Sequence, residues 1–132
     1  MSIIEAKVLN YKKVQNLHLV RFGCNSQVLT MMSLELNKDI KPSTLVKLIV
    51  KPTHIAISKT INSDTSHQNR LKCKVDAVDD GELLSSIKLN FEGFELESII
   101  TLDASKRLEL KKGDDVMALI QASELSILEI LR

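Results

Sequence analysis

The sequence predicts an all-β protein, with helix confined to short turns, in which one small antiparallel barrel is built twice. Three observations carry this. Apolar residues recur at every second position in short stretches such as Ile4-Glu5-Ala6-Lys7-Val8 and Leu71-Lys72-Cys73-Lys74-Val75, the period of a half-buried strand. These stretches return in the same order in two segments of nearly equal length. Between the segments runs a polar seam, Ser58 to Asn69, whose single aliphatic residue is Ile61. So little apolar surface does not order a chain by burial. The seam divides the sequence into a first repeat at 1–58, a linker at 59–65 and a second repeat at 66–132.

In the first repeat, residues 3–9 alternate as a strand, and Tyr11 to Asn16 is polar and turn-like. Leu17 to Phe22 alternates again up to Gly23, and Cys24-Asn25-Ser26 reads as a hairpin turn into Gln27-Val28-Leu29. Thr30 to Asn37 changes character: Thr30 has the chemistry of an N-cap, and the segment reads as one or two helical turns carrying Met31 and Met32 against the barrel. Lys38 to Thr44 is a loop with Pro42. Leu45 to Val50 is a strongly apolar strand, interrupted by Lys51-Pro52-Thr53 and finished by Ile55-Ala56-Ile57.

The second repeat follows suit. Leu71 to Val75 is its first strand. Leu84 to Phe91, a turn at Glu92-Gly93 and Phe94 to Ile100 form its hairpin. Thr101 to Leu108 is its short helix, and Lys111 to Asp115 is a solvated turn. Val116 to Ile120 is the apolar strand, Gln121-Ala122-Ser123 stands where Lys51-Pro52-Thr53 stood, and Leu125-Ser126-Ile127 matches Ile55-Ala56-Ile57. Strand, hairpin, helical turn, loop and strand make a small barrel of the oligonucleotide/oligosaccharide-binding type. A unit of roughly 60 residues buries little surface alone. Two copies are therefore expected to share a core, and their open sheet edges to favour a homo-oligomer.

Composition excludes several function classes. Of 132 residues 44% are hydrophobic, and 18 basic residues stand against 17 acidic ones, so no net field draws the chain to nucleic acid or a membrane surface. Aromatics at 3% and the lack of Trp argue against base-stacking platforms, and so against the rival reading of a small nucleic-acid-binding barrel. No run is long enough to span a bilayer, and no signal region opens the chain, so a cytoplasmic protein without membrane insertion is expected. Cys24, Cys73 and the histidines His18, His54 and His67 are scattered, which argues for reduced structural thiols and no metal site. No nucleophile–base pair, carboxylate pair or phosphate-cradling loop is present; the chain is not expected to be an enzyme.

Residues of the second half carry a family resemblance: Ser66-His67-Gln68-Asn69, Ile99-Ile100-Thr101, Leu110-Lys111-Lys112-Gly113-Asp114 and Leu119-Ile120-Gln121-Ala122-Ser123. They resemble the Mop (molybdenum-pterin-binding) domain of the TOBE group, and two such domains in one chain is the di-Mop, or molbindin, arrangement. The resemblance implies molybdate or tungstate as the bound oxyanion, held at interfaces between domains or subunits. One domain would supply a Ser-Ala-Arg-Asn stretch, and its neighbour a Thr, a Ser three residues later and a Lys. The first repeat keeps Thr30, Ser33 and Lys51. The second keeps Ser66 and Asn69, with Gln68 in place of the arginine. It also keeps Thr101, with Ala104 for the serine beside Ser105, and Gln121 for the lysine. Ser66, Gln68 and Asn69 facing Thr30, Ser33 and Lys51 would make one site, for which charge-assisted hydrogen bonds are the main source of affinity. Thr53, Thr101, Ser105, Gln121 and Ser123 are weaker candidates, and the mirror-image site is expected to be dead. The implied role is storage, homeostasis or hand-over of the anion. A rival is a binding-deficient interaction module attached to a molybdate or tungstate transporter.

Overall fold

The alternation read from the sequence is realised in a computed structural model, which describes residues 1–61 and 64–132. The linker at 59–65 includes Asn62 and Ser63, which lie outside the described residues. In the first repeat, β1 (Ser2–Val14), β2 (Leu17–Cys24), β3 (Gln27–Ser33) and β4 (Leu45–Val50) lead through a 3-10 turn at Pro52–His54 into β5 (Ala56–Ser58). In the second, β6 (Asn69–Asp80), β7 (Leu84–Phe91), β8 (Phe94–Thr101), the helix α1 (Leu102–Arg107) and β9 (Asp115–Ile120) lead through a 3-10 turn at Ala122–Glu124 into β10 (Ser126–Leu131).

Two five-stranded antiparallel sheets result, ordered β10-β4-β1-β2-β3 and β5-β9-β6-β7-β8. Each sheet therefore contains the last strand of the other half: β10 pairs with β4, and β5 with β9. The sequence pattern matched these last strands to each other but carried no sign of the exchange, because Ile55-Ala56-Ile57 and Leu125-Ser126-Ile127 would suit either sheet. The curled sheets are two OB-like barrels in tandem. Their inward residues, among them Ile4, Val8, Phe22 and Leu48 from one half and Leu71, Leu89, Phe91 and Ile120 from the other, form one buried cluster. Cys24 and Cys73 are free and buried within it.

The halves are related by a pseudo-two-fold axis that can be followed residue by residue. The hairpin turns meet on it: the Asn25 side-chain amide donates to the Glu92 carbonyl at 3.2 Å, and the Ser26 hydroxyl donates to the Glu92 carboxylate. Asn25 and Glu92 hold equivalent positive φ values of 51° and 47°, the conformation a two-residue turn requires. The 3-10 turns meet there too, with His54 Nδ1 2.7 Å from Glu124 Oε2. Duplicate positions have thus diverged into a complementary pair.

Three expectations are corrected. The helix expected over Thr30–Asn37 is absent; β3 continues through Ser33, and the Ser33 hydroxyl closes a local turn on the backbone of Glu35. The register explains why. The hairpins superpose with Thr30 opposite Glu97, whereas the strands β4 and β9 superpose three residues out of step. The first half thus lacks the residues that form α1 in the second, and Thr30 is no helix cap. Met31 is buried on β3 while Met32 on its other face is exposed. Tyr11 to Val14, read as a turn, prolongs β1, so that the turn is confined to Gln15 and Asn16. Among the described residues no helix is long and apolar enough to cross a membrane.

Candidate oxyanion site

Asn69 opens β6 and is buried, with 1% of its surface exposed. A buried side-chain amide needs partners, and it finds them on the other half of the molecule. The Thr30 N–H donates to Asn69 Oδ1 at 2.7 Å, and Asn69 Nδ2 donates to the Thr30 carbonyl at 2.9 Å. The end of the polar seam is thereby clamped to the edge strand β3. The seam was read as unable to order itself by burial; at its last residue, order comes from hydrogen bonding instead.

The pseudo-symmetric clamp is different. Ser2, also buried, accepts from the Glu97 N–H at 2.9 Å, so Ser2 stands for Asn69 and Glu97 for Thr30. The Glu97 carboxylate accepts from the Ser86 hydroxyl and lies 3.5 Å from Lys88 Nζ. The Ser86 hydrogen bond first, and the Lys88 charge after it, hold its pKa below the ordinary carboxylate range. A carboxylate whose ionised form is favoured therefore flanks this clamp, where the first has Thr30.

Exchange of the final strands also decides which turn lies beside each clamp. The 3-10 turn of the second half, Ala122–Glu124, packs on β3, and that of the first half, Pro52–His54, packs on β8. The buried Ser98 hydroxyl donates to the Ile55 carbonyl at 2.6 Å and fixes the latter contact. Gln121 thus follows the strand paired with Asn69, since Asn69 lies opposite Ile120, while Lys51 follows the strand paired with Ser2, which lies opposite Val50.

Of the residues singled out from sequence, the structure joins Asn69 to Thr30 directly. Ser33 and Ser123 share a groove of about 820 Å³ between the edge strands β3 and β10. Lys51 and Ser123 share a smaller hollow of about 220 Å³ with Met1, His54 and Glu124. Neither cavity is lined by Ser66, Gln68 or Asn69. Ser66 and Gln68 are exposed beside the clamp, and the backbone between them is pinned where the Thr65 hydroxyl meets His67 Nδ1 at 2.6 Å. Thr101 caps α1, its hydroxyl accepting from the Ala104 N–H at 3.1 Å. Ser105 is buried and its hydroxyl reaches Asp80 at 3.4 Å. Thr53 and Gln121 are exposed at the two 3-10 turns. Sequence reading missed Ser2 and Glu97; the signal lay in their register with Asn69 and Thr30. Among the described residues no group of three His, Cys, Asp or Glu side chains is placed to hold a metal ion.

Fold and clamp together define a duplicated β-barrel protein whose halves exchange a strand and meet through a polar motif at their junction. The family profile of the TOBE domain matches residues 65–127. A solved molybdate-binding protein from Sporomusa ovata is 33% identical, covering 51% of this chain and 100% of that one at a TM-score of 0.49. The cytoplasmic molybdate-binding protein ModG, solved with molybdate bound, is similar over 95% of this chain and 93% of that one, with a TM-score of 0.88 and 21% identity. No curated protein matches by sequence. Residues 65–127 of the chain thus match the TOBE domain, and the chain as a whole has the two-domain fold of ModG.

Proposed function

We propose that this chain binds molybdate, or the similarly sized tetrahedral dianion tungstate, as a cytoplasmic carrier or store rather than as an enzyme. The anion sits where the seam meets β3, at an interface completed by a second copy of the chain. The observation that carries this reading is the Asn69–Thr30 clamp, which fixes the seam residues Ser66 and Gln68 beside the strand that ends in Ser33. Support for the ligand comes from the relatives, which are molybdate-binding proteins. Support for a second copy comes from Lys51, which belongs to the opposite clamp of its own chain. A dianion held by hydroxyls and amides needs a cation, and Lys51 of a neighbouring copy is the one we assign to it. The mirror clamp, flanked by the ionised Glu97, repels an oxyanion and stays empty.

A second reading has its own observation. Gln121 stands beside the working clamp, and Gln68 stands on the seam where the family pattern has arginine; both are neutral. These features favour a module that has lost the anion and serves as a docking or regulatory partner of a molybdate or tungstate transporter. Titration calorimetry with molybdate and tungstate, with sulfate as control, separates the two. Binding that excludes sulfate, at about one site per chain, supports the carrier. No heat from a folded, associated sample supports the docking module.

A further inference from the structure

Two long hairpins end at equivalent places on either side of the pseudo-two-fold axis, each flanked on one side by its edge strand, β3 or β8. In the first, β1 passes a bulge at Leu9 and runs to Val14 before β2 returns; in the second, β6 passes a bulge at Asp76 and runs to Asp80 before β7 returns. The far ends of β2 and β7 meet at the axis through Asn25, Ser26 and Glu92. Strands of eight residues at about 3.3 Å each therefore carry the two tips to opposite sides of the molecule.

The arms carry opposite charge at matching positions. Lys12 lies opposite Leu19 in the first as Asp79 lies opposite Ser86 in the second, and Lys13 opposite His18 as Asp80 opposite Ser85. Asp76 and Glu82 add to the acidic arm; nearer the axis the matching residues Arg21 and Lys88, across from Asn10 and Ala77, are both basic. Both tips are also apolar: Val14 is 71% exposed and Leu83 81%, with Leu17 and Leu84 beside them. Among the described residues Lys12, Lys13, Asp76, Asp79 and Glu82 enter no ion pair, while Asp80 is engaged by the Ser85 hydroxyl at 2.6 Å. The chain's net charge of +1 conceals this polarity.

Exposed apolar tips ringed by charge mark a protein contact. Two basic arms, or two acidic arms, set against each other would oppose like charges. Only a basic arm on an acidic arm brings opposite charges together with apolar tips. We propose that the arms are each other's docking surfaces in a head-to-tail assembly of this chain, the 9–19 arm of one copy seated on the 76–86 arm of the next. Such a contact is heterologous, so each copy offers one arm to each neighbour, and the assembly closes as a ring or grows as a filament. The inference takes from the reading above only the self-association and does not depend on the anion.

The test is sedimentation velocity of the full chain at low and high salt, with two double variants. Lys12→Glu/Lys13→Glu leaves both arms acidic, and Asp79→Lys/Glu82→Lys cancels the charge of the acidic arm against the remaining Asp76 and Asp80; all four substituted residues are exposed, so both variants should keep the circular dichroism spectrum of the parent. Each alone should weaken association by at least about tenfold, and an equal mixture of the two should reassociate, because acidic and basic arms are again available to each other. Unchanged size in either variant, failure of the mixture to reassociate, or a parent that is monomeric at low salt would overturn the proposal. So would a Lys12→Glu/Lys13→Glu variant of unchanged size that loses retention on single-stranded nucleic acid, since the basic arm would then serve a polyanion. Calorimetry on the same samples separates this inference from the functional one. Loss of arm docking with anion uptake absent in the parent sinks the carrier alone, and anion uptake with arm-independent size sinks the docking alone.

Discussion

Asn69 serves two demands that are separable by mutation. Its amide satisfies both backbone groups of Thr30, so Asn69→Ala removes two hydrogen bonds and strands a part-buried N–H and C=O. The expected loss is about 1–3 kcal/mol, read as a lower urea midpoint in the absence of any anion. A residue whose only role was to touch a ligand would show no such loss. Lys51 is the contrasting case: it is exposed, and among the described residues its side chain enters no ion pair. Lys51→Ala should leave the urea midpoint within about 0.5 kcal/mol of the parent and abolish molybdate heat. Gln68→Arg should instead tighten binding by restoring a cation on the seam; an unchanged affinity would remove the seam from the site. Asn69 and Thr30, which the structure joins, were both singled out in the sequence. The way they meet was not. That Asn69 would spend its amide on a backbone, and that Glu97 would occupy the position of Thr30, follows from strand register, which residue types do not encode.

Strand order along each half was legible because alternation is a local signal, and most hairpin and strand limits fall within a residue or two of the pattern. The missing helix of the first half shows where local signals stop. Thr30 followed by Ser33 looks like a helix start, but both residues lie within β3, paired with β2, and the connection to β4 lacks three residues that the second half has by register between β8 and β9. The arms failed for a related reason: Lys12-Lys13 and Gln15-Asn16 are as polar as any turn, and only pairing across the hairpin extends the strand to Val14. The buried thiols give this scale its pH dependence. Burial pushes Cys24 from its ordinary 9.0 up to about 11 and Cys73 up to about 12. Both groups ionise more readily when unfolded, so the stability they contribute is complete below pH 9.0 and falls as pH rises towards those folded values. Urea midpoints measured from neutral to strongly alkaline pH should decline over that window, and Cys73→Ala should flatten the decline.

The whole molecule depends on strands that are distant in sequence from the sheets they complete. Removing residues 126–132 deletes β10 from the sheet of the first half, leaving the β4 edge unpaired and the Asp39–Arg132 ion pair at 3.0 Å lost. Hydrogen exchange should accelerate first in β4, in the other half of the chain from the deletion; acceleration confined to β9 would contradict the exchanged pairing. The same pairing changes what the joint between the repeats is for. β5 has already crossed into the second sheet, where it borders β9, and β6 borders β9 on its other side. The segment from Lys59 to Gln68 therefore joins the two strands that flank β9 within one sheet, and Lys59 itself ion-pairs with Asp114 of the second half. In effect the molecule is an interlocked pair of small proteins that happens to share a peptide bond. A break in that segment would leave the pair clasped by its exchanged strands, and such a pair could become a single chain by acquiring one short tether, with no strand rerouted.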